Sequence, residues 1–307
     1  MNQSIQKKPF PFHIVIFILP ALLCYTIFMA FPLLDSLRLS LLEFSRDGST
    51  TFVGLNNFNR LFSEEFWSFR FWNALENNVI FFLIHMVVQN PLALLLATIL
   101  TRRGLRGVAF FRTVLFAPTT LSYVIVGFIW SLLLHPTFGG GIIHTPLSNL
   151  GVPTPLLGRA DTALFTVALV SVWQFTGLPM MLFVASLISI NDEIIDAAMV
   201  DGANAWNIFW RIKFPLILPT VGIVSILTFV GNFNSFALIY TMQGSQGDPN
   251  LATDILGTLF FRVAFGGGGA AEPNYGMGTA IATMMFLIIL TGVALYLFGI
   301  QRRLVRT

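Results

Sequence analysis

Uncharged polar side chains interrupt two of the longest apolar stretches of this chain, and they are the residues best suited to bind something. Asn232-Phe233-Asn234-Ser235 breaks one stretch and Trp173-Gln174 another. Asn232 and Ser235 are three apart, so on a helix they share a face, with Phe229 or Phe236 nearby. An amide, a hydroxyl and an aromatic ring on one face suit a sugar: two of them hydrogen-bond its hydroxyls and the ring stacks on its C–H face. The same groups could serve as polar ties between helices. Covalent chemistry finds no support. His13, His85, His135 and His144 lack metal-ligand spacing, and no Lys-Ser/Thr follows the glycines Gly266 to Gly269. Neither a paired acid and base nor an activated nucleophile is visible, so no enzyme activity, metal or cofactor is expected. His85 lies inside an apolar stretch and reads either as a pore residue or as a packed, hydrogen-bonded histidine.

The elements that must position these groups are set by composition. Of 307 residues, 55% are hydrophobic and only 10% charged, and 32 are Phe, which places the chain in lipid rather than in water. The mean hydropathy is +0.79. The net charge of +3 is too small to suggest a nucleic-acid partner. Cys24, alone in the chain, reads as a buried thiol in an apolar run. Six apolar segments are long enough to cross a bilayer: about 12–34, 74–100, 108–134, 161–190, 216–242 and 275–300. The first lacks a cleavage signature and reads as a retained span. The intervals 135–159 and 243–274 are rich in turn residues and read as loops. Glu76 and Asp161 sit at span ends and the other acids lie in loops, so no ion-coupling site is evident and the energy source is expected outside this chain.

Six spans place both termini on one side. Eleven Lys and Arg residues fall on the side of the termini, against six on the opposite side, Arg38, Arg46, Arg60, Arg70, Arg159 and Arg262, which are spread over longer stretches. The positive-inside rule therefore predicts cytoplasmic segments at 1–11 and 301–307, flanking a six-span domain at 12–300.

The most polar interval of the second half, Asn191 to Pro219, falls on that cytoplasmic side. Asn191 can cap a helix whose first turn holds Asp192 and Glu193, and Gly202 can end it in a left-handed conformation. A second short helix carrying Trp206, Phe209 and Trp210 is expected to stop at Pro215. Two short helices joined by a glycine elbow result, with Ala197 and Ala198 keeping one face small.

Asp196-Ala197-Ala198, three residues, Gly202, then Ile212, Phe214 and Pro215 is similar to the cytoplasmic coupling loop of binding-protein-dependent ABC transporter permeases. That family carries Glu at the first position and Leu before the proline. Asp201 before the glycine resembles the sugar-transporting branch. The run Asn-Phe-Asn-Ser-Phe-Ala-Leu-Ile from Asn232, and Phe261-Arg262-Val263-Ala264-Phe265 further on, resemble the F-type permease subunit of maltose-type importers. The resemblance covers all six spans. It implies an all-α integral membrane protein with cytoplasmic coupling helices, ATPase contacts through residues 191–215, and sugar contacts at Asn232, Asn234 and Ser235, with Gln174 and Phe175 on the preceding span. It further implies a second, homologous permease subunit, two copies of a cytoplasmic ATPase, an extracytoplasmic solute-binding protein and a location in the inner membrane. A polyol, glycerol-phosphate or compatible-solute permease is the alternative within the family, and a stand-alone secondary carrier is the alternative outside it.

Overall fold

A computed structural model describes residues 12–45, 47–136, 142–152, 154–267 and 272–301. The terminal segments 1–11 and 302–307, and Gly268 and Gly269, lie outside the described residues. Among the described residues, four helices are long and apolar enough to cross a membrane: Val15–Leu39, Glu65–Leu100, Ala205–Phe233 and Tyr275–Gly299. Two further spans are bent pairs, Val108–Thr120 with Tyr123–Leu133 at 95°, and Ala163–Phe175 with Gly177–Ile188 at 43°. Counting each pair once gives the six spans of an all-α membrane protein.

Prolines shape these helices in a way the sequence reading did not anticipate. Pro32, Pro91 and Pro215 each stand two residues beyond a π-helical turn, formed by Thr26–Ala30, His85–Gln89 and Phe209–Lys213. A proline ring clashes with the carbonyl four residues back and offers it no N–H. In each case that carbonyl belongs to the widened turn, where bonding runs one residue further, as from Phe214 N–H to the Phe209 carbonyl. The helix therefore continues. Pro215 does not end the second coupling helix, which is continuous with the fifth span over Ala205–Phe233.

The fifth span also ends earlier than expected. It stops at Phe233, breaks at Asn234 to Phe236, and resumes as a short helix, Ala237–Gln243. Met242 thus belongs to a separate element, packed with Val126 and Val167 in one of three cores. A second core joins the ends of the second, fifth and sixth spans through Phe71, Phe233 and Met277. The third, with Ala97, Phe183 and Ile217, packs the opposite end of the bundle. Gly177 lets the third and fourth spans touch: an added Cβ there would lie 2.8 Å from the Leu115 carbonyl oxygen.

The interval 243–274 is more than a loop. It holds the helix Leu256–Phe265, and a buried ion pair fastens that helix: Arg262 Nη2 donates to Asp254 Oδ2 at 2.6 Å, with side chains 4% and 0% exposed. Arg262 Nη1 also donates to the Ser245 carbonyl at 2.6 Å. Amides of the second span hold the same segment from below. Asn73 and Asn77 donate to the Leu251 carbonyl, and Asn78 accepts from Leu256 N–H at 2.8 Å. The interval 135–159 likewise contains a short helix, His144–Asn149. Cys24 is exposed, contrary to the expected buried thiol, because the first span turns almost its whole circumference outward.

Candidate functional site

Where the second, third, fourth and fifth spans meet, they line a partly open cavity of about 570 Å³. The break after Phe233 is what opens it. Because the helix stops there, Asn234, Ser235 and Phe236 leave the helical path and line one wall together with Asn232 in the last turn. Asn232 Nδ2 donates to the Thr228 carbonyl at 2.7 Å, while its buried Oδ1 has no partner among the described residues. Its backbone carbonyl accepts from Asn78 Nδ2 at 3.1 Å. Asn234 Nδ2 turns back to the Val230 carbonyl at 3.0 Å. The four expected neighbours on this wall are thus brought together by a helix end rather than by one continuous helical face.

Of the two residues expected on the fourth span, one lines the cavity and the other does not. Phe175 does, with its ring 5.1 Å from that of Tyr123. Gln174 is absent from the lining. It is fully buried, and its Nε2 donates to the Leu121 carbonyl at 3.1 Å, at the sharp bend of the third span. That bend leaves a carbonyl unsatisfied by its own helix, and Gln174 supplies the missing donor.

Sequence reasoning missed most of the remaining lining. His85, Gln89, Tyr123 and Ser171 all line the cavity. His85 and Gln89 belong to the π turn of the second span and are both buried. His85 Nδ1 lies 2.7 Å from the Phe81 carbonyl and Nε2 lies 2.9 Å from Ser171 Oγ. A carbonyl only accepts, so Nδ1 carries a proton; in the neutral ring Nε2 then accepts from the Ser171 hydroxyl. His85 lines the cavity and is hydrogen-bonded at both ring nitrogens, as expected of a packed histidine. No local motif marks this wall, since Ser171 and His85 are 86 residues apart.

At the other end of the bundle, the helix Asp192–Val200 follows its Asn191 cap, whose Oδ1 accepts from Glu193 N–H at 3.0 Å. Gly202 has φ +81°, and Ala203 N–H returns to the Ala198 carbonyl at 2.9 Å, closing the elbow. Asn204 caps the next helix through Asn207 N–H at 2.9 Å. Ala197, Asp201 and Pro215 are exposed, while Ala198 and Ile212 are half-buried. Asp196 has a basic partner within the chain. Arg103 Nη1 donates to Asp196 Oδ1 at 2.7 Å, and Nη2 lies 3.0 Å from Asp192 Oδ1. Hydrogen bonding to Asp196 and then Asp192 raises the Arg103 guanidinium above its ordinary value. Asp192 and Asp196 sit one turn apart, which lets one planar guanidinium bridge both.

Comparison with known proteins gives this architecture its relatives. Residues 89–306 match the family described as binding-protein-dependent transport system inner membrane component. A probable ABC transporter permease protein of Bacillus subtilis, YurN, is 31% identical over 290 residues, covering 93% of this chain and 94% of that one. The multiple sugar-binding transport system permease protein MsmF of Streptococcus mutans is 29% identical over 276 residues, covering 89% and 90%. In fold, the chain is similar to one in a solved bacterial ABC transporter involved in the import of the acidic polysaccharide alginate. The TM-score is 0.80 at 22% identity, over 95% and 96% of the two chains. With most of its length matched by the family and a close relative aligned nearly end to end, this chain belongs to the binding-protein-dependent transport system inner membrane components, the permeases of ABC importers.

Proposed function

We propose that this chain forms half of the translocation pathway of an ATP-driven sugar importer, with its termini and the 191–215 loop on the cytoplasmic side. The observation that carries this reading is the cavity at the end of the fifth span, where Asn232, Asn234, Ser235, Tyr123 and Phe175 bring amide, hydroxyl and aromatic groups to one space. An unsatisfied amide in a membrane interior is unfavourable by several kcal/mol. Sugar hydroxyls can pair with the amide and hydroxyl groups that line the cavity. A second permease subunit completes the pathway, and two ATPase subunits meet the exposed coupling helix, where Ile194, Met199, Val200 and Trp206 offer apolar surface. Closure of the ATPases drives the coupling helices together and turns the cavity outward. An extracytoplasmic binding protein then delivers solute, and hydrolysis resets the inward state.

Asn232→Ala tests the site. Loss of one buried hydrogen-bonding group should cost about 1–3 kcal/mol in the occupied state. Uptake of the transported sugar then falls or its preference changes, while the complex assembles in normal yield and keeps basal ATP hydrolysis. A drop in yield with uptake per complex preserved would instead assign Asn232 to packing.

A further inference from the structure

The break at Asn234 to Phe236 lines the cavity on one side and rests on the helix Leu256–Phe265 on another. An added Cβ at Gly257 would lie 2.6 Å from the Ser235 carbonyl oxygen and 3.3 Å from Phe236 Cβ, so this approach needs a glycine. Four residues on, the Phe261 ring is 5.1 Å from that of Phe236. The helix is itself fastened from elsewhere, by the Arg262–Asp254 pair and by Asn77, which donates to the Asp254 carbonyl at 2.8 Å. The cavity wall thus leans on a support that is held independently of it.

One side chain ties wall and support together. Asn78 is fully buried; its Nδ2 donates to the Asn232 carbonyl at 3.1 Å and its Oδ1 accepts from Leu256 N–H at 2.8 Å. These two groups belong to opposite helix ends with opposite needs. Leu256 N–H lies in the first turn of its helix, where no earlier carbonyl of that helix is available. The Asn232 carbonyl lies in the last turn of the fifth span, where the break removes the bond that a continuing helix would bring from four residues on. A primary amide carries both a donor and an acceptor, so one asparagine serves both ends.

We propose that Asn78 is a positioning residue: it holds the wall Asn232–Phe236 against the helix Leu256–Phe265, so that this helix sets the shape of the cavity. The inference rests on the cavity being the substrate site. Asn77 supplies the control, one residue away. Its amide grips the same support, through the carbonyls of Leu251 and Asp254, rather than the wall. A purely structural role predicts the same behaviour from both asparagines, whereas positioning predicts a change at the wall from Asn78 alone.

Ser235→Cys, in a Cys24→Ser background, places a reporter on the wall. The importer, with its second permease subunit and ATPases freed of cysteine, is assembled in lipid nanodiscs and labelled with a small water-soluble methanethiosulfonate. Asn77→Leu and Asn78→Leu should both lower the melting temperature of the complex, because each leaves buried backbone groups unpaired. Only Asn78→Leu should change the labelling rate of the reporter, by about tenfold, the scale on which one buried hydrogen bond shifts a balance between held and released wall. Asn78→Ser is the milder variant should Asn78→Leu not assemble: its single hydroxyl, on a shorter stem, cannot span both partners, so the rate should change in this variant too. A labelling rate unaltered by substitution of Asn78, or altered equally by Asn77→Leu, overturns the proposal and leaves the cavity as the substrate site. A reporter that reacts in no assembled complex, the parent included, shows a cavity closed to water and counts against the substrate-site reading itself.

Discussion

At Asp196 one carboxylate has two claimants, Arg103 of the same chain and any basic residue a docking ATPase brings. The internal contact is short but solvent-exposed, so its contribution to fold stability is small. Its effect is on orientation. Arg103 ties the coupling helix to the turn between the second and third spans, so that a push on the helix reaches two spans at once. Arg103→Ala should reduce sugar-stimulated ATP hydrolysis, Asp196→Ala should do the same, and the double variant should be no worse than either single one. Additive losses in the cycle would show that Asp196 serves the ATPase independently of Arg103. The aspartate itself was legible from spacing, whereas its partner was not: Arg103 lies 93 residues away and read only as one positive charge among eleven on its side.

Among elements, the helix Leu256–Phe265 and its buried ion pair are the clearest test of packing. Breaking one partner strands the other in the interior, a loss of roughly 3–5 kcal/mol, while replacing both by apolar side chains is far milder. Asp254→Leu should thus lower the melting temperature of the purified chain much more than Asp254→Leu with Arg262→Met. Equal loss in the two would show that the pair is not closed in the membrane-embedded protein. The interval reads as loop in the sequence because its glycines and polar residues mark turns, and because the contacts that hold Asp254 come partly from Asn77 on the second span, far away in sequence. The six spans, by contrast, were legible from hydrophobic length alone. Their bends were not: proline marks a possible break, and whether a π turn absorbs it depends on the surrounding packing.

For the molecule as a whole, orientation across the bilayer rests on charge. In a Cys24→Ser background, a cysteine at Ser148 should react with a membrane-impermeant reagent in intact cells. Cysteines at Gly104 or Asn207 should react only after permeabilisation. The reverse pattern would put the helix Asp192–Val200 on the wrong side for an ATPase. The second span adds a length constraint. At 36 residues it is about 54 Å long, against a hydrocarbon core of about 30 Å, so one end must stand well clear of the membrane. The amides of Asn73 and Asn77, which grip the segment 251–254, lie toward its N-terminal end.

The π turns preceding Pro32, Pro91 and Pro215 also set helical phase. Each carries one residue more than the α turn it replaces, so everything beyond it is rotated by about 100° relative to an unbroken helix. In the second span this extra residue lets Gln89 face the cavity while Ala93 and Ala97, only a turn or two further on, are fully buried against the fourth and fifth spans. The proline and the inserted residue therefore form a matched pair. Pro91→Ala alone should leave the phase intact and the complex assembled. Pro91→Ala with Val88 deleted should restore a regular helix and turn Ala93 and Ala97 away from Met180 and Phe183. Loss of assembled complex from the second variant and not the first is the expected outcome.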